Sequence, residues 1–175
     1  MRRGRAVAIA VAVVAALATA RVGAAKDEAH AEATCASGGE GTTVVREDRD
    51  VVIGPLALLG ARCVTRHRPN AFGRIGYKIP ATLPEGTTAV LSVPKHLQRH
   101  VRLVFSVRTS RAVWKRGVLA GDTAVRFVAC APGAEPGRTG WPGGIVVDRR
   151  RCATLVVRVG DQAPVRRRVP LGRAC

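Results

Sequence analysis

The C-terminal residues 140–175, GWPGGIVVDRRRCATLVVRVGDQAPVRRRVPLGRAC, carry the clearest fold signal in the chain. They contain an apolar run at 145–147, an alternating run at 152–159 and a further run at 165–169. Arginines at 149–151 separate the first two runs, and a Gly160-Asp161 turn separates the second from the third. Valine- and leucine-rich segments divided by turn residues predict an antiparallel β-meander.

The composition extends this prediction to the whole chain. Hydrophobic residues make up 47% of the 175 residues, but aromatic residues make up only 3%. Because the core must then be built largely from valine, leucine and alanine, strands are favoured over helices. A chain of this length fits one domain and an export segment.

Short β-prone runs with turn residues between them predict an all-β fold, an antiparallel β-sandwich of immunoglobulin-like type preceded by an N-terminal signal helix. A small closed barrel is the alternative. The clearest alternation is at 100–108, where Val101, Leu103, Phe105 and Val107 share one face. Residues 112–121 predict a loop or a single helical turn, and the Pro/Gly-rich residues 131–144 predict a long loop.

The N-terminal residues predict export. Arginines precede an apolar run at 6–17, and Ala18-Thr19-Ala20 supplies the small residues of a cleavage site. We therefore expect a signal peptide at 1–20, with cleavage after Ala24 as an alternative, then a flexible leader at 21–41 and the sandwich domain at 42–175. The apolar run is shorter than the roughly 20 residues that span a bilayer. A secreted or cell-envelope protein is predicted, with an uncleaved membrane anchor as the alternative.

The cysteines predict a disulfide framework, because an exported chain without a CxxC spacing favours disulfides over a metal or redox site. Strand parity places Cys130 and Cys152 on outward faces at strand ends, and we expect a bridge between them. Cys35 and Cys63 then form the second bridge, and Cys175 stays free. Cys175 is also a rival partner for either Cys130 or Cys152.

The Gly54-Pro55-Leu56 segment and the Trp141-Pro142-Gly143-Gly144 loop before a terminal cysteine resemble small exported all-β proteins of GC-rich bacteria. The resemblance covers residues 51–175. That group has no assigned function, so the resemblance implies an architecture and no chemistry.

No catalytic or metal-binding motif stands out, and no cofactor is implied. His96 and His100 have a spacing that places both on one helix face, but Pro94 precedes them and a strand is predicted from His100, so we expect solvated histidines. No serine lies in a Gly-x-Ser-x-Gly elbow. A non-enzymatic protein is therefore predicted, and a secreted hydrolase whose site forms only in the fold is the alternative.

The charge balance is the one signal of a partner, since 29 Lys and Arg stand against 12 Asp and Glu for a net charge of +17. Such a surface attracts anionic polymers or lipid headgroups, and export argues against nucleic acid as the normal partner. The alternatives are a solvated surface that reflects codon usage and a purely structural envelope protein. The candidate ligand-binding residues are Arg149, Arg150, Arg151, Arg166, Arg167, Arg168, Trp114, Lys115 and Arg116.

Cleavage of the signal is directly testable. We expect the exported protein to begin at residue 21 or 25, because the small residues of both candidate sites suit a signal peptidase. The intact mass of the secreted protein measures this. A membrane-retained species that keeps Met1 would show that the apolar run is an anchor.

Overall fold

The computed structural model describes residues 30–41, 44–133 and 137–175, so the predicted signal peptide and the first part of the leader lie outside the described residues. Within these ranges the chain is mostly β, with one α-helix, α1 (Val107–Arg116). No helix in the described ranges is long and apolar enough to cross a membrane. The strands are β1 (Ala31–Ala33), β2 (Gly39–Gly41), β3 (Val51–Ile53), β4 (Leu56–Leu58), β5 (Gly76–Lys78), β6 (Ala81–Pro84), β7 (Thr88–Ser92), β8 (Val101–Val104), β9 (Ala124–Val128), β10 (Arg138–Trp141), β11 (Gly144–Val147), β12 (Arg151–Arg158) and β13 (Val165–Leu171).

The strands form three sheets. Sheet 1 has the order β1-β9-β7-β12-β13, sheet 2 has the order β2-β10-β6-β4-β3, and sheet 3 has the order β5-β11-β8. All neighbouring strands are antiparallel except β1 and β9, which run parallel. The predicted all-β class with antiparallel sheets is thus confirmed.

The alternation of side chains decides which face of each strand is buried. In β12, Ala153, Leu155 and Val157 are buried, whereas Arg158 is exposed. In β9, Val125 and Phe127 are buried on either side of the exposed Arg126, as their parity predicts. Buried residues from all three sheets belong to one hydrophobic cluster, so the described strands share a core.

Three aromatic rings join the sheets at the centre of this core. Phe105 follows β8, Phe127 lies in β9 and Trp141 ends β10. The Phe127 ring centroid is 5.0 Å from that of Phe105, in an edge-to-face arrangement, and 5.0 Å from that of Trp141. Trp141 is almost fully buried and its Nε1–H donates to the Thr34 carbonyl oxygen at 2.8 Å. The ring cluster therefore also fixes the N-terminal segment.

Two segments that the sequence predicts as loops are paired strands. β10 lies in the predicted Pro/Gly-rich loop and pairs with both β2 and β6. The predicted flexible leader contains β1, which pairs with β9, and β2. Local glycine and proline content predicted turns here, but hydrogen bonding to distant strands and burial of Trp141 override it.

The region 107–116 is an α-helix of 10 residues, where the sequence predicted the end of a strand followed by a loop or a single helical turn. Ser106 is the N-cap, since its Oγ accepts a hydrogen bond from the Thr109 amide at 3.0 Å, and Gly117 with φ of 80° follows the last turn. Val101, Leu103 and Phe105 are buried as predicted, but Val107 opens the helix and is 70% exposed. On the helix's buried side, Val113 joins a second apolar cluster that includes Val104 and Val146 of sheet 3.

Hydrogen bonds tie the start of the helix to the loop before β9. Ser106 Oγ donates to Thr109 Oγ1 at 2.9 Å, and Thr109 Oγ1 donates to Asp122 Oδ2 at 2.8 Å. Burial raises the pKa of the Asp122 carboxyl, and this outweighs the opposing effects of Thr109 and of the Arg108 and Arg102 charges. The network therefore contains a carboxylate whose ionisation is disfavoured.

Both preferred disulfides are wrong, whereas the alternative in which Cys175 pairs with Cys152 is confirmed, and two disulfides exist in the described residues. The bridges are Cys35–Cys130 and Cys152–Cys175, and the exposed Cys63 is free. Cys130 and Cys152 cannot meet, because β7 lies between β9 and β12 and the two cysteines lie towards opposite ends of β7. Cys35 instead follows β1, which runs parallel to β9 and so ends beside Cys130.

The two disulfides should contribute unequally to stability. Loop closure in the unfolded chain predicts a loss of about 4.7 kcal/mol for Cys35→Ala/Cys130→Ala and about 3.4 kcal/mol for Cys152→Ala/Cys175→Ala, since the bridges span 95 and 23 residues. Urea unfolding of both variants in a Cys63→Ala background measures the difference, with Cys63→Ala alone as the control. A larger loss from the shorter loop would contradict the entropic account.

The Asp122 carboxyl should make stability depend on pH. Its folded pKa lies above its unfolded pKa, so its contribution is fully present below the unfolded value and is lost as the pH rises through the folded value. In Asp122→Asn the side-chain oxygen still accepts from Thr109 and does not titrate. As the pH rises from the unfolded pKa through the folded pKa of Asp122, the unfolding free energy of Asp122→Asn should therefore increase relative to that of wild type. Urea unfolding at a series of pH values measures this difference. Parallel curves for the two proteins would contradict this prediction.

Candidate functional site

The outward face of sheet 1 carries a groove whose floor is set by the register of its strands. Ser92 of β7 lies opposite Ala124 of β9 and opposite Val156 of β12, and Val156 in turn lies opposite Arg166 of β13. Small side chains therefore occupy the middle of this row, and an arginine occupies its outer end. The groove forms because alanine and serine leave the centre of the face low.

The 3₁₀ turn Lys95–Leu97, which follows β7, makes one wall of the groove. Gln98 helps to fix this turn, since its Nε2 donates to the Val93 carbonyl oxygen at 3.0 Å. Arg158 of β12 and Arg166 of β13 also line the groove, and so does His30, which directly precedes β1. The volume of this open groove is about 560 Å³, which is within the range of ligand-binding clefts.

The lining of this groove is cationic. Lys95, His96, Arg158 and Arg166 lie on it together with His30, and none of the described lining residues is acidic. Arg158 is two residues from Val156, the register partner of Arg166, so the two arginines are diagonal neighbours with Cα atoms roughly 7 Å apart. We call these five residues the basic groove. Its chemistry suits an anion that can accept hydrogen bonds from several cations at once.

The predicted arginines of β13 are divided between two faces. Arg166 and Arg168 lie opposite Val156 and Thr154, on the outward face of sheet 1. Arg167 lies opposite the buried Leu155 but is itself exposed. Arg166 lines the basic groove, and Arg168 Nε donates to the disulfide sulfur of Cys152 at 3.2 Å. β13 is an edge strand, where charged side chains also oppose pairing with another chain.

The other predicted triplet, at residues 149–151, lies at the far end of the β12–β13 pair. Arg151 pairs with Leu171, whereas Arg166 pairs with Val156. Arg151 and Val156 are five residues apart in β12, which corresponds to about 17 Å along the strand. The Arg151 guanidinium forms an ion pair with Asp148, whereas Arg149 and Arg150 are exposed. The structure therefore does not bring the two triplets into one site.

Trp114, Lys115 and Arg116 are exposed at the C-terminal end of α1 and do not line the basic groove. Positive charge in the last turn of a helix interacts favourably with the helix dipole, so Lys115 and Arg116 have a local structural role. Trp114 is 71% exposed and its ring lies beside Gly73. These residues belong to a different surface from Arg166.

The two histidines with helical spacing are also separated. His96 lies on the basic groove, whereas His100 Nδ1 is 2.7 Å from Asp148 Oδ2. Partial burial raises the pKa of Asp148, but the His100 hydrogen bond and the Arg151 charge outweigh it, so that pKa lies below the ordinary value. In the described ranges no three His, Cys, Asp or Glu side chains are grouped so as to hold a metal ion.

Sequence reasoning missed Lys95, His96, Arg158 and His30 as members of one site. Arg158 could have been found, because the parity of 152–159 places it on the outward face with Val156. Lys95 and His30 carry no such signal. They reach the groove only because the chain turns after β7 and because β1 adds to sheet 1 next to β9.

These features define a mostly β, disulfide-bonded protein with a cationic groove on one sheet. Its disulfides are typical of proteins in an oxidising, extracellular compartment. Comparison of the chain with known protein families, with curated proteins and with solved structures finds no match.

Proposed function

We propose that this protein is an exported, non-enzymatic domain that binds anionic cell-envelope material through the basic groove. The observation that carries the proposal is the convergence of Lys95, Arg158 and Arg166 on one depression whose described lining contains no acid. An unbalanced group of cations keeps its attraction for an external anion, whereas a paired cation such as Arg151 has already lost part of it.

The proposed ligand is a phosphate-bearing polymer. Arginine presents a planar fork of donors that matches phosphate oxygens, and lysine adds a compact point charge. Arg158 and Arg166 are exposed, so a polymer can reach them without a change in the fold. Binding of this kind depends on charge density along the ligand and needs no enclosed pocket.

The architecture that we propose beneath the site is a two-layer sandwich of immunoglobulin-like type, formed by sheets 1 and 2. In its support, the buried faces of both five-stranded sheets contribute to the same hydrophobic cluster. In such a fold the outward face of sheet 1 is free to bind a ligand while its inward face holds the core.

We propose that the protein is secreted or attached to the cell envelope. The disulfides and the sequence of the first 20 residues support it. In that compartment phosphate-bearing envelope polymers and lipid headgroups are the anions that the protein meets.

Charge reversal should distinguish the contribution of the basic groove to binding from the contribution of the protein's overall positive charge. Arg158→Glu/Arg166→Glu should weaken binding of linear polyphosphate more than Arg149→Glu/Arg150→Glu, which makes the same change in net charge at the far end of β12. Losing two phosphate contacts should reduce the slope of log affinity against log salt by about 1.4. Isothermal titration over a series of salt concentrations measures both quantities.

Equal weakening by the two variants would show that overall charge, and not the groove, attracts the polymer. Binding that does not depend on salt, or no binding at low salt, would contradict the proposed function. Vesicles that contain phosphatidylglycerol form a second arm, and a preference for them over polyphosphate would assign the groove to lipid headgroups.

A further inference from the structure

A second concave surface lies beside the start of α1 and shares no lining residue with the basic groove. Its volume is about 450 Å³. Two of the three phenylalanines in the chain, Phe72 and Phe105, line it together with Val104, Val107 and Pro142. We call this surface the apolar cleft; Phe72 is half-buried there, and Phe105 is a core residue that is 5% exposed.

Glycines make this arrangement of rings possible. A Cβ atom on Gly144 would stand 2.7 Å from Cε2 of Phe72, and a Cβ on Gly143 would overlap the Phe105 ring. Phe72 itself has a φ of 53°, which bulky residues rarely adopt. The backbone therefore holds Phe72 in a costly conformation that lays its ring against glycine backbone, and such strain is concentrated at binding sites.

The polar groups of the apolar cleft are few, and most of the hydroxyls are already engaged. Ser37 Oγ donates to the Thr34 carbonyl oxygen, and Ser106 Oγ caps α1. A sugar would need a larger set of hydrogen-bonding groups at well-defined positions. The lining instead suits an apolar body, because contact with Phe72, Val107 and Pro142 removes apolar surface from water.

Charge at the rim indicates which apolar molecule fits. Lys78 of β5 and Arg111 of α1 are exposed cations on opposite elements of the cleft. One acidic residue, Glu32, is in the lining, against these two cations. The described rim therefore has an excess of positive charge, which complements an anionic headgroup.

We propose that the apolar cleft binds an amphiphilic anion, a molecule with a hydrocarbon body and a single anionic headgroup. The hydrocarbon body packs against Phe72, Val107 and Pro142, and the headgroup lies at the rim with Arg111 and Lys78. Val107 is 70% exposed and opens α1 at this position, so the helix presents apolar surface that a ligand can cover. The site is independent of the basic groove and of the function proposed for it.

Val107→Glu should weaken binding of decanoate by about tenfold, because it replaces an apolar contact with a charge of the same sign as the headgroup. A carboxylate at the start of a helix interacts favourably with the helix dipole, so the variant should fold. The matched control is Leu119→Glu, since Leu119 is also exposed, at 62%, and does not line the cleft. Isothermal titration of full-length exported protein with decanoate measures the affinity.

The headgroup is tested separately with Arg111→Gln, which should weaken decanoate and leave neutral decanol unchanged. Arg158→Glu/Arg166→Glu should leave decanoate binding intact, because it changes the other site. No saturable decanoate binding, or equal affinities for Val107→Glu and Leu119→Glu, would overturn the proposal. Equal binding of decanoate and of decyltrimethylammonium would overturn the assignment of an anionic headgroup.

Discussion

The contact of Phe127 with Phe105 and Trp141 is the interaction on which the rest of the structure depends. Phe127 lies in sheet 1 and Trp141 in sheet 2, Phe105 directly follows β8 of sheet 3, and both pairs of centroids are 5.0 Å apart. In a core that otherwise consists mainly of valine, leucine, isoleucine and alanine, with Tyr77 as the fourth buried aromatic residue, these rings supply large buried areas and a specific geometry. They therefore set how sheets 1, 2 and 3 approach one another.

The same contact helps to position residues of both the basic groove and the apolar cleft. Trp141 holds the Thr34 carbonyl oxygen at 2.8 Å, which places Cys35 for its bridge to Cys130 and keeps β1 on the edge of sheet 1. His30 precedes β1 and thereby reaches the basic groove. Phe105 faces the ring cluster and also lines the apolar cleft, so one core contact positions residues of two separate surfaces.

The two surfaces differ in what the sequence could predict about them. Strand parity places Arg158 and Arg166 on the outward face, so part of the basic groove can be predicted from the sequence. The charged runs at 149–151 and 114–116, however, predicted ligand binding at residues outside this groove. The apolar cleft has no sequence signal of that kind. Phe72 and Phe105 are 33 positions apart, and both line the cleft, where Gly144 and Gly143 give room for their rings.

By itself the sequence determined the β class, the facing of residues along β9 and β12, and the disulfide-bonded character of the domain. These properties follow from period-two alternation and from composition, which act within a single strand. The tertiary structure alone decided the order of the strands and hence the cysteine pairs, since β7 separates Cys130 from Cys152. It also decided that Trp141 lies in a strand and that 107–116 is a helix. The Ser106 cap and Gly117 are local signals that the sequence contains. Hydrogen bonds to distant strands and burial in a shared core nevertheless supply most of the free energy of folding, and a local sequence pattern does not show them.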